Sequence, residues 1–482
     1  MSRHTLIVVI IIFLFVSTVV INETQTVSTY YTTLQSTTNN DTLVNSTSIP
    51  SFNTWVDKEH ERRRIEIAKS KDVFLPDWML GYMQFHDEQR SRLANTTSST
   101  TNTTDDIKYL VVRCLEREVC GGFSDRMKAM PFYIMVANLT QRVLLIHWTK
   151  PTELEHYLIP PTEGLDWRIE GTPVTIQDIR SNTNFHDGHG NGMSGVVRQL
   201  MGKLPGQEHL VEAKVLNILL DGGQRIHNAQ AIFNQWRKEP GQISEGYLGW
   251  NPKSNVTKHD LSEDVFRILF QPSSQLNREI YNKLVQLGLL DREFSVAQVR
   301  AKSPNLIPSD VALEFGSVNT VPGAKDAYEI KRGFDMMDTY TITPLLRKLW
   351  FKMYTNALNC ADQLAPGLPI FLASDTNFGI EMQKNTTYDI RVAASENQTA
   401  LHIDSDANQG RGQSDFYLVF TDIYIMARAK CSAYGGGFGA FPTRMNGNTC
   451  TLHHAETKCS SSSERSTKTE ESSTNITNTS VT

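Results

Sequence analysis

Arg300 closes the alternating run 294–300 (FSVAQVR). Its guanidinium is a planar fork of donors that matches phosphate oxygens. Two glycine turns add backbone donors. Residues 121–125 (GGFSD) follow the apolar run 109–112, and residues 435–439 (GGGFG) follow 431–434. A glycine turn that opens a helix leaves N–H groups free at the positive end of the helix dipole, where a phosphate is favoured. Asp375 stands at the end of a further apolar run, 369–374 (PIFLAS). These residue types permit the holding and release of a phosphate or diphosphate. Each turn alone is equally an ordinary tight turn, and Arg300 alone is equally half of a salt bridge at a strand end.

A metal could be held in two other places. His186, Asp187 and His189 lie in the glycine-rich stretch 184–195. So many glycines favour a flexible loop whose ligands would have to be ordered by the ion itself. Asp404-Ser405-Asp406 has the acidic spacing that chelates a divalent ion. That triplet is common by chance, and no metal is assigned.

Positioning these residues requires strands that end where they stand. Strand-like runs at 107–112, 143–147 and 214–220 predict a first α/β domain over 107–260. Its helices follow the first glycine turn and occupy 226–236. Residues 109–148 then make a βαβ unit of strand, glycine turn, helix and strand. Runs at 294–300, 369–374, 390–394 and 431–434 alternate with helix patterns at 343–364 and 414–430. The second pattern reads as amphipathic, with Ser414 or Asp415 near its cap. A second α/β domain over 261–455 follows, joined to the first through the helical segment 262–290. The fold class is α/β with two facing Rossmann-like domains. Ligands of open parallel sheets sit beyond the C-terminal strand ends. Both glycine turns, Arg300 and Asp375 fall at such ends.

The flanks differ from this body. Residues 1–5 precede an uncharged apolar run, 6–21, with Arg3 before it and no Lys or Arg after it until Lys58. That asymmetry predicts a transmembrane signal anchor with a cytoplasmic tail and a lumenal body. A cleaved signal peptide is the competing reading, but the run is long for an h-region and lacks a small-x-small cleavage site. Sequons, among them Asn95, Asn138, Asn385 and Asn397, fit a glycosylated secretory protein. The segment 22–106 reads as a stalk, partly helical. It holds a Ser/Thr/Asn tract, then two helices around a turn at Pro76, then a spacer. Arg62, Arg63 and Arg64 could attract an anion, but read first as a solvated helix face. Residues 456–482 read as a disordered tail. Across 482 residues the chain is 39% hydrophobic with a net charge of −5, which argues against a nucleic-acid binder. Six cysteines leave the pairing open, with a local Cys114–Cys120 bridge beside the first glycine turn as one possibility.

Four stretches in order carry a resemblance. They are CGGFSDRMKAMPFYIMVANLTQRVLLIHW from Cys120, VAQVRA from Val296, NALNCADQLAPGLPIFLASDT from Asn356, and DFYLVFTDIYIMARAKCSAYGGGFG from Asp415. Through them the chain resembles the GDP-fucose-dependent fucosyltransferases of GT-B type, which include α-1,6- and protein O-fucosyltransferases. The resemblance implies transfer of fucose from GDP-fucose to a glycan or protein hydroxyl, with inversion and no required metal. It implies a single-pass type II membrane protein of the Golgi or endoplasmic reticulum. It gives donor-binding roles to Gly121, Gly122 and Phe123, the loop that closes over the nucleotide, and to Gln298 and Asp375. Asp422 matches an aspartate near the guanine, and Gly435, Gly436, Gly437 and Phe438 match the pyrophosphate turn. Arg300 matches an arginine that holds the donor's β-phosphate and is the implied catalytic residue. There are two departures: Gln298 stands where relatives carry histidine, and the glycine turn lacks the usual serine. Another nucleotide sugar on the same fold, or a non-catalytic glycan-binding or scaffold protein, are the alternatives. Asp404 and Asp406 keep a rival reading, since Asp-x-Asp chelates the diphosphate's metal in another glycosyltransferase architecture. Asp310, Glu314 and Asp404 stay open as the general base.

Overall fold

The computed structural model describes residues 49–96, 106–116, 118, 120–180, 184–185, 212–219, 261–301, 344–393, 403, 411–445, 450–454 and 456–459. The strands in chain order are β1 Lys108–Cys114, β2 Arg142–Trp148, β3 Leu158–Ile159, β4 Asn184–Phe185, β5 Val215–Leu219, β6 Gln271–Pro272, β7 Ser295–Val299, β8 Ile370–Ser374, β9 Ile390–Val392, β10 Cys431–Tyr434 and β11 Thr451–His453. The helices are α1 Phe52–Lys69, α2 Asp77–Thr96, α3 Phe123–Leu139, α4 Ile176–Arg180, α5 Ser262–Leu269, α6 Ser274–Gln286, α7 Pro344–Leu364, α8 Phe378–Asn385, α9 Gln413–Met426 and α10 Gly437–Met445.

Two parallel sheets organise these elements, in the orders β2-β1-β5-β4 and β11-β10-β7-β8-β9. β3 and β6 form a separate antiparallel ribbon. β2 and β7 are buried along their whole length. Parallel strands covered on both faces must be apolar runs, which is why they stand out in the sequence. In the second sheet the chain steps outward from β7 to β8 and β9, then returns to the other side of β7 for β10 and β11. The order reverses between β7 and β10, and a crevice opens at such a switch point beyond the strand ends.

α9 departs from its expected amphipathic pattern. It ends at Met426, and nine of its fourteen residues are buried. It packs between α6 and α10, and Tyr157 stacks on its Phe420 at 4.4 Å. A helix enclosed on most sides has no solvated face to set a period. Asp415 caps it by accepting the Gly412 N–H at 3.1 Å. The connecting segment 262–290 is α5 and α6, broken by β6.

The helical pair expected in the stalk belongs to the body. Trp55, Ile67, Trp78, Met79 and Tyr82 are buried in the largest apolar cluster. The Tyr82 hydroxyl donates to the Arg142 carbonyl and accepts the Leu144 N–H, both at 3.0 Å. A His86 ring nitrogen bonds the Leu144 carbonyl at 3.1 Å. β2 is an edge strand, so these side chains satisfy backbone groups that an open edge would leave exposed. Of the three arginines read as a solvated face, only Arg64 is exposed, paired with Glu61. Arg62 and Arg63 turn to the buried Glu59.

The cysteines pair as 114–120, 360–459 and 431–450. No described helix is long and apolar enough to cross a membrane, and residues 6–21 lie outside the described residues.

Tyr82→Phe removes the hydroxyl and leaves the Leu144 N–H without its acceptor. It is expected to lower unfolding stability by about 1–3 kcal/mol in chemical denaturation. A stalk detached from the body would show no change.

Candidate active site

One cleft collects residues from both sheets. Gly122, Phe123, Ser124 and Asp125 reach it from the start of α3. Gln298 and Arg300 come from the end of β7, and Ser374, Asp375 and Thr376 from the end of β8. Asp422 enters from α9, and Gly437 and Phe438 from the start of α10. Gly121, Gly435 and Gly436 do not line it, and their parts are geometric.

Gly121 has φ +75°, a left-handed conformation that glycine adopts without strain. Its carbonyl accepts Arg126 Nε at 3.0 Å. Arg126 also donates to the Lys150 carbonyl at 2.8 Å and lies over the Trp148 ring at 5.2 Å. The Cys114–Cys120 disulfide pins the loop from its other side. α3 then begins, with the Asp125 and Arg126 N–H groups returning to the Gly122 carbonyl. The first N–H groups of a helix have no intrahelical partner, so those of α3 are presented at the cleft. The Phe123 ring is packed edge-on against Phe266, Phe420 and Phe441 at 5.9, 5.5 and 6.0 Å. It wedges the start of α3 against α5, α9 and α10.

The second glycine turn is crowded from below. A Cβ on Gly435 would lie 2.7 Å from His454 Nε2, and one on Gly439 would lie 2.5 Å from Gln298 Oε1. Gln298 Oε1 accepts the Gly435 N–H at 3.1 Å, and its carbonyl accepts His454 Nε2 at 2.8 Å. Burial pushes His454 down to about 4, so the ring is neutral and Nε2 carries the donated proton. Gln298, in place of the expected histidine, is therefore a strut beneath the turn. The Gly439 and Ala440 N–H groups return to the Gly436 carbonyl, which starts α10.

The two helix starts face each other. A Cβ on Gly437 would lie 3.2 Å from Ser124 Oγ and 3.3 Å from Lys128 Nζ. The buried Ser124 hydroxyl has no partner among the described residues. Sequence reasoning gave Ser124 and Lys128 no role. Their spacing of four along a helix that opens at the glycine turn places both on one face, which was the available signal.

Arg300 is half-buried at this crevice, and among the described residues no ion pair engages it. The next residue, Ala301, is held at both polar groups. Its N–H donates to Asp375 Oδ1 at 2.7 Å, and its carbonyl accepts Trp350 Nε1 at 3.2 Å. Asp375 therefore positions the strand end that carries Arg300. Tyr354 supports the adjoining strand end through Thr376 Oγ1 at 2.7 Å.

No family model matches the chain, and no curated protein matches it. Solved structures do match. The fucosyltransferase NodZ from Bradyrhizobium is 11% identical, with a TM-score of 0.34 over 70% of this chain and 93% of that one. A mutant of Arabidopsis thaliana FUT1 in complex with GDP is 12% identical, with a TM-score of 0.39 over 78% of this chain and 79% of that one. NodZ alpha-1,6-fucosyltransferase co-crystallised with GDP is 13% identical, with a TM-score of 0.33 over 70% and 93%.

His186, Asp187, His189, Asp310, Glu314, Asp404 and Asp406 lie outside the described residues. Asp422 is enclosed, and its Oδ1 has no partner among the described residues. Burial pushes its carboxyl up to about 7, against the pull of Lys283. Lys283 itself donates to the Ala393 carbonyl at 2.8 Å on the cleft wall.

A carboxyl with a raised folded pKa binds its proton more tightly in the native state. Its stabilisation is complete below the unfolded value of 3.8 and is lost as pH rises through about 7. Asp422→Asn should flatten the fall in melting temperature between about pH 4 and about pH 7. Parallel curves for the variant and the parent would contradict this assignment.

Proposed function

We propose that this chain is a glycosyltransferase that transfers fucose from GDP-fucose to a glycan or protein hydroxyl. The apposition of two uncapped helix starts beside Arg300, at a switch-point crevice, carries the reading. In an inverting transfer the acceptor oxygen attacks the anomeric carbon opposite the diphosphate. The new carbon–oxygen bond forms as the bond to the diphosphate breaks, and the acceptor proton leaves to a base. Negative charge grows on the departing diphosphate. Arg300 and the first N–H groups of α3 and α10 are preorganised to meet it, and Lys128 at the same junction offsets the Asp125 carboxylate at 3.4 Å.

The rest of the cleft suits the nucleoside. Leu372, Ile380, Val392 and Leu418 provide an apolar wall, and Asp422 stands on it. A guanine edge offers N–H donors to a carboxylate, and such bonds favour its ionised form. Because Gln298 supports the turn through its amide oxygen and carbonyl, the reading asks for no imidazole at that position. The site as read needs no metal, since arginine and backbone N–H groups supply the positive charge. Three disulfides suit an oxidising compartment, and the sequon residues Asn95 and Asn385 are exposed. A body in the Golgi or endoplasmic reticulum lumen, held by residues 6–21, follows as part of the same proposal.

The test is incubation of the protein with GDP-fucose, other GDP-sugars and UDP-sugars, with and without EDTA. GDP should be released from GDP-fucose and the rate should survive EDTA. Arg300→Ala should lower it about 10²–10³-fold, the usual cost of one preorganised donor. Loss of turnover in EDTA would move the chemistry to a metal at Asp404 and Asp406. Failure of every nucleotide sugar to bind in calorimetry would sink the reading.

A further inference from the structure

A second cavity, of about 30 Å³, lies apart from the cleft where α1, α5 and α9 meet the end of α10. Arg62, Arg63, Arg267 and Tyr424 are in its lining. Four donors there are buried without a partner among the described residues: Nε and Nη1 of Arg63, Nε of Arg267 and the Tyr424 hydroxyl. Buried donors are seldom left so, and a group of them around one space calls for a shared acceptor.

The local charges decide what kind of acceptor. Glu59 serves three guanidiniums: Arg62 at 2.9 Å, Arg63 at 3.8 Å and Arg428. Glu66 is taken by Arg62, and Asp264 by Arg267 at 2.9 Å. The neighbouring Arg444 pairs with Glu263. Among the described residues, Arg62, Arg63, Arg267 and Arg428 thus face Glu59, Glu66 and Asp264, and one positive charge is left over. Arg63 bears it, because its other contacts are neutral: the Asn277 side-chain oxygen at 3.1 Å and the Tyr424 ring at 5.7 Å. Its side chain is only 12% exposed, and a buried charge without compensation is costly.

We infer that this cavity is a binding site for one compact monovalent anion of halide size, held by Arg63, Arg267 and Tyr424. A water would satisfy the donors and leave the charge, whereas a halide answers both. The small space favours a compact anion over a large organic one. A halide there ties α1 to α5 and α9, and so fastens the N-terminal helices to the body. The inference does not rest on the proposed transferase activity.

Thermal unfolding of the full chain at constant ionic strength tests it, with sodium gluconate replaced stepwise by sodium chloride or sodium bromide. The melting temperature should rise saturably with either halide. Tyr424→Phe, which keeps the ring, should move the midpoint on the order of tenfold upward in halide. Arg63→Met should abolish the response, while the surface change Arg64→Met should leave it intact. Crystals of the unaltered protein grown in bromide should show an anomalous peak beside Arg63, a readout independent of whether any variant folds. Equal melting temperatures in gluconate and chloride, with no bromide peak, would overturn the site and leave water as the occupant. Retention of the full response in Arg63→Met would overturn it equally.

Discussion

β7 and β10 are neighbours at the point where the strand order of the second sheet reverses, and the cleft lies beyond their ends. The cleft depends on that reversal. β7 delivers Gln298 and Arg300 to its rim, and β10 delivers the glycine turn beside them. The rim is then locked by contacts too close for any residue but glycine. With His454 and Gln298 packed under the turn, a side chain at position 435 or 439 would force the turn outward. The start of α10 is fixed in space before any ligand arrives, which is the condition for its N–H groups to act without reorganisation.

The opposite wall is fixed differently. α3 starts at a glycine with positive φ, bracketed by a disulfide and by the buried Arg126. Its position relative to α10 is set by the Phe123 ring, which inserts among Phe266, Phe420 and Phe441. One apolar side chain from the first sheet's helix therefore aligns a polar surface that neither sheet makes alone. The glycine loop and the arginine lie far apart in sequence, and this aromatic contact is what makes them one site.

The strands were legible because burial on both faces writes an uninterrupted apolar run, and the site residues were legible because they follow those runs directly. Strand order was not legible, since nothing in β10 itself says that it pairs with β7. α9 misled because its enclosure removes the polar face on which a helical period depends. α1 and α2 misled in the other sense. They bury a few large residues, Trp55 and Tyr82 among them, within otherwise charged sequence. α10 was passed over because Gly437, Gly439 and Pro442 all argue against a helix in isolation. Gln298 read as the loss of a histidine. Its work as a strut involves Gly435, 137 residues later in the chain, and exists only in the folded state.

Arg300 and the two helix starts line one part of the cleft, with Asp125 and its ion-pair partner Lys128 at the helix junction. The carboxyl of Asp422 stands on the apolar wall, enclosed and poised near neutrality. Asp375 lies between these in sequence of contact, but its oxygen is engaged by the Ala301 N–H, so it shapes the rim. A ligand that matches this order has an anionic end and a flat apolar body with donors on its edge. A nucleoside diphosphate has that polarity, whereas a simple sugar, an inorganic phosphate or a peptide satisfies one end only. With its carboxyl pushed up to about 7, Asp422 can donate as the acid or accept as the carboxylate, and a base edge that offers N–H groups draws it to the ionised form.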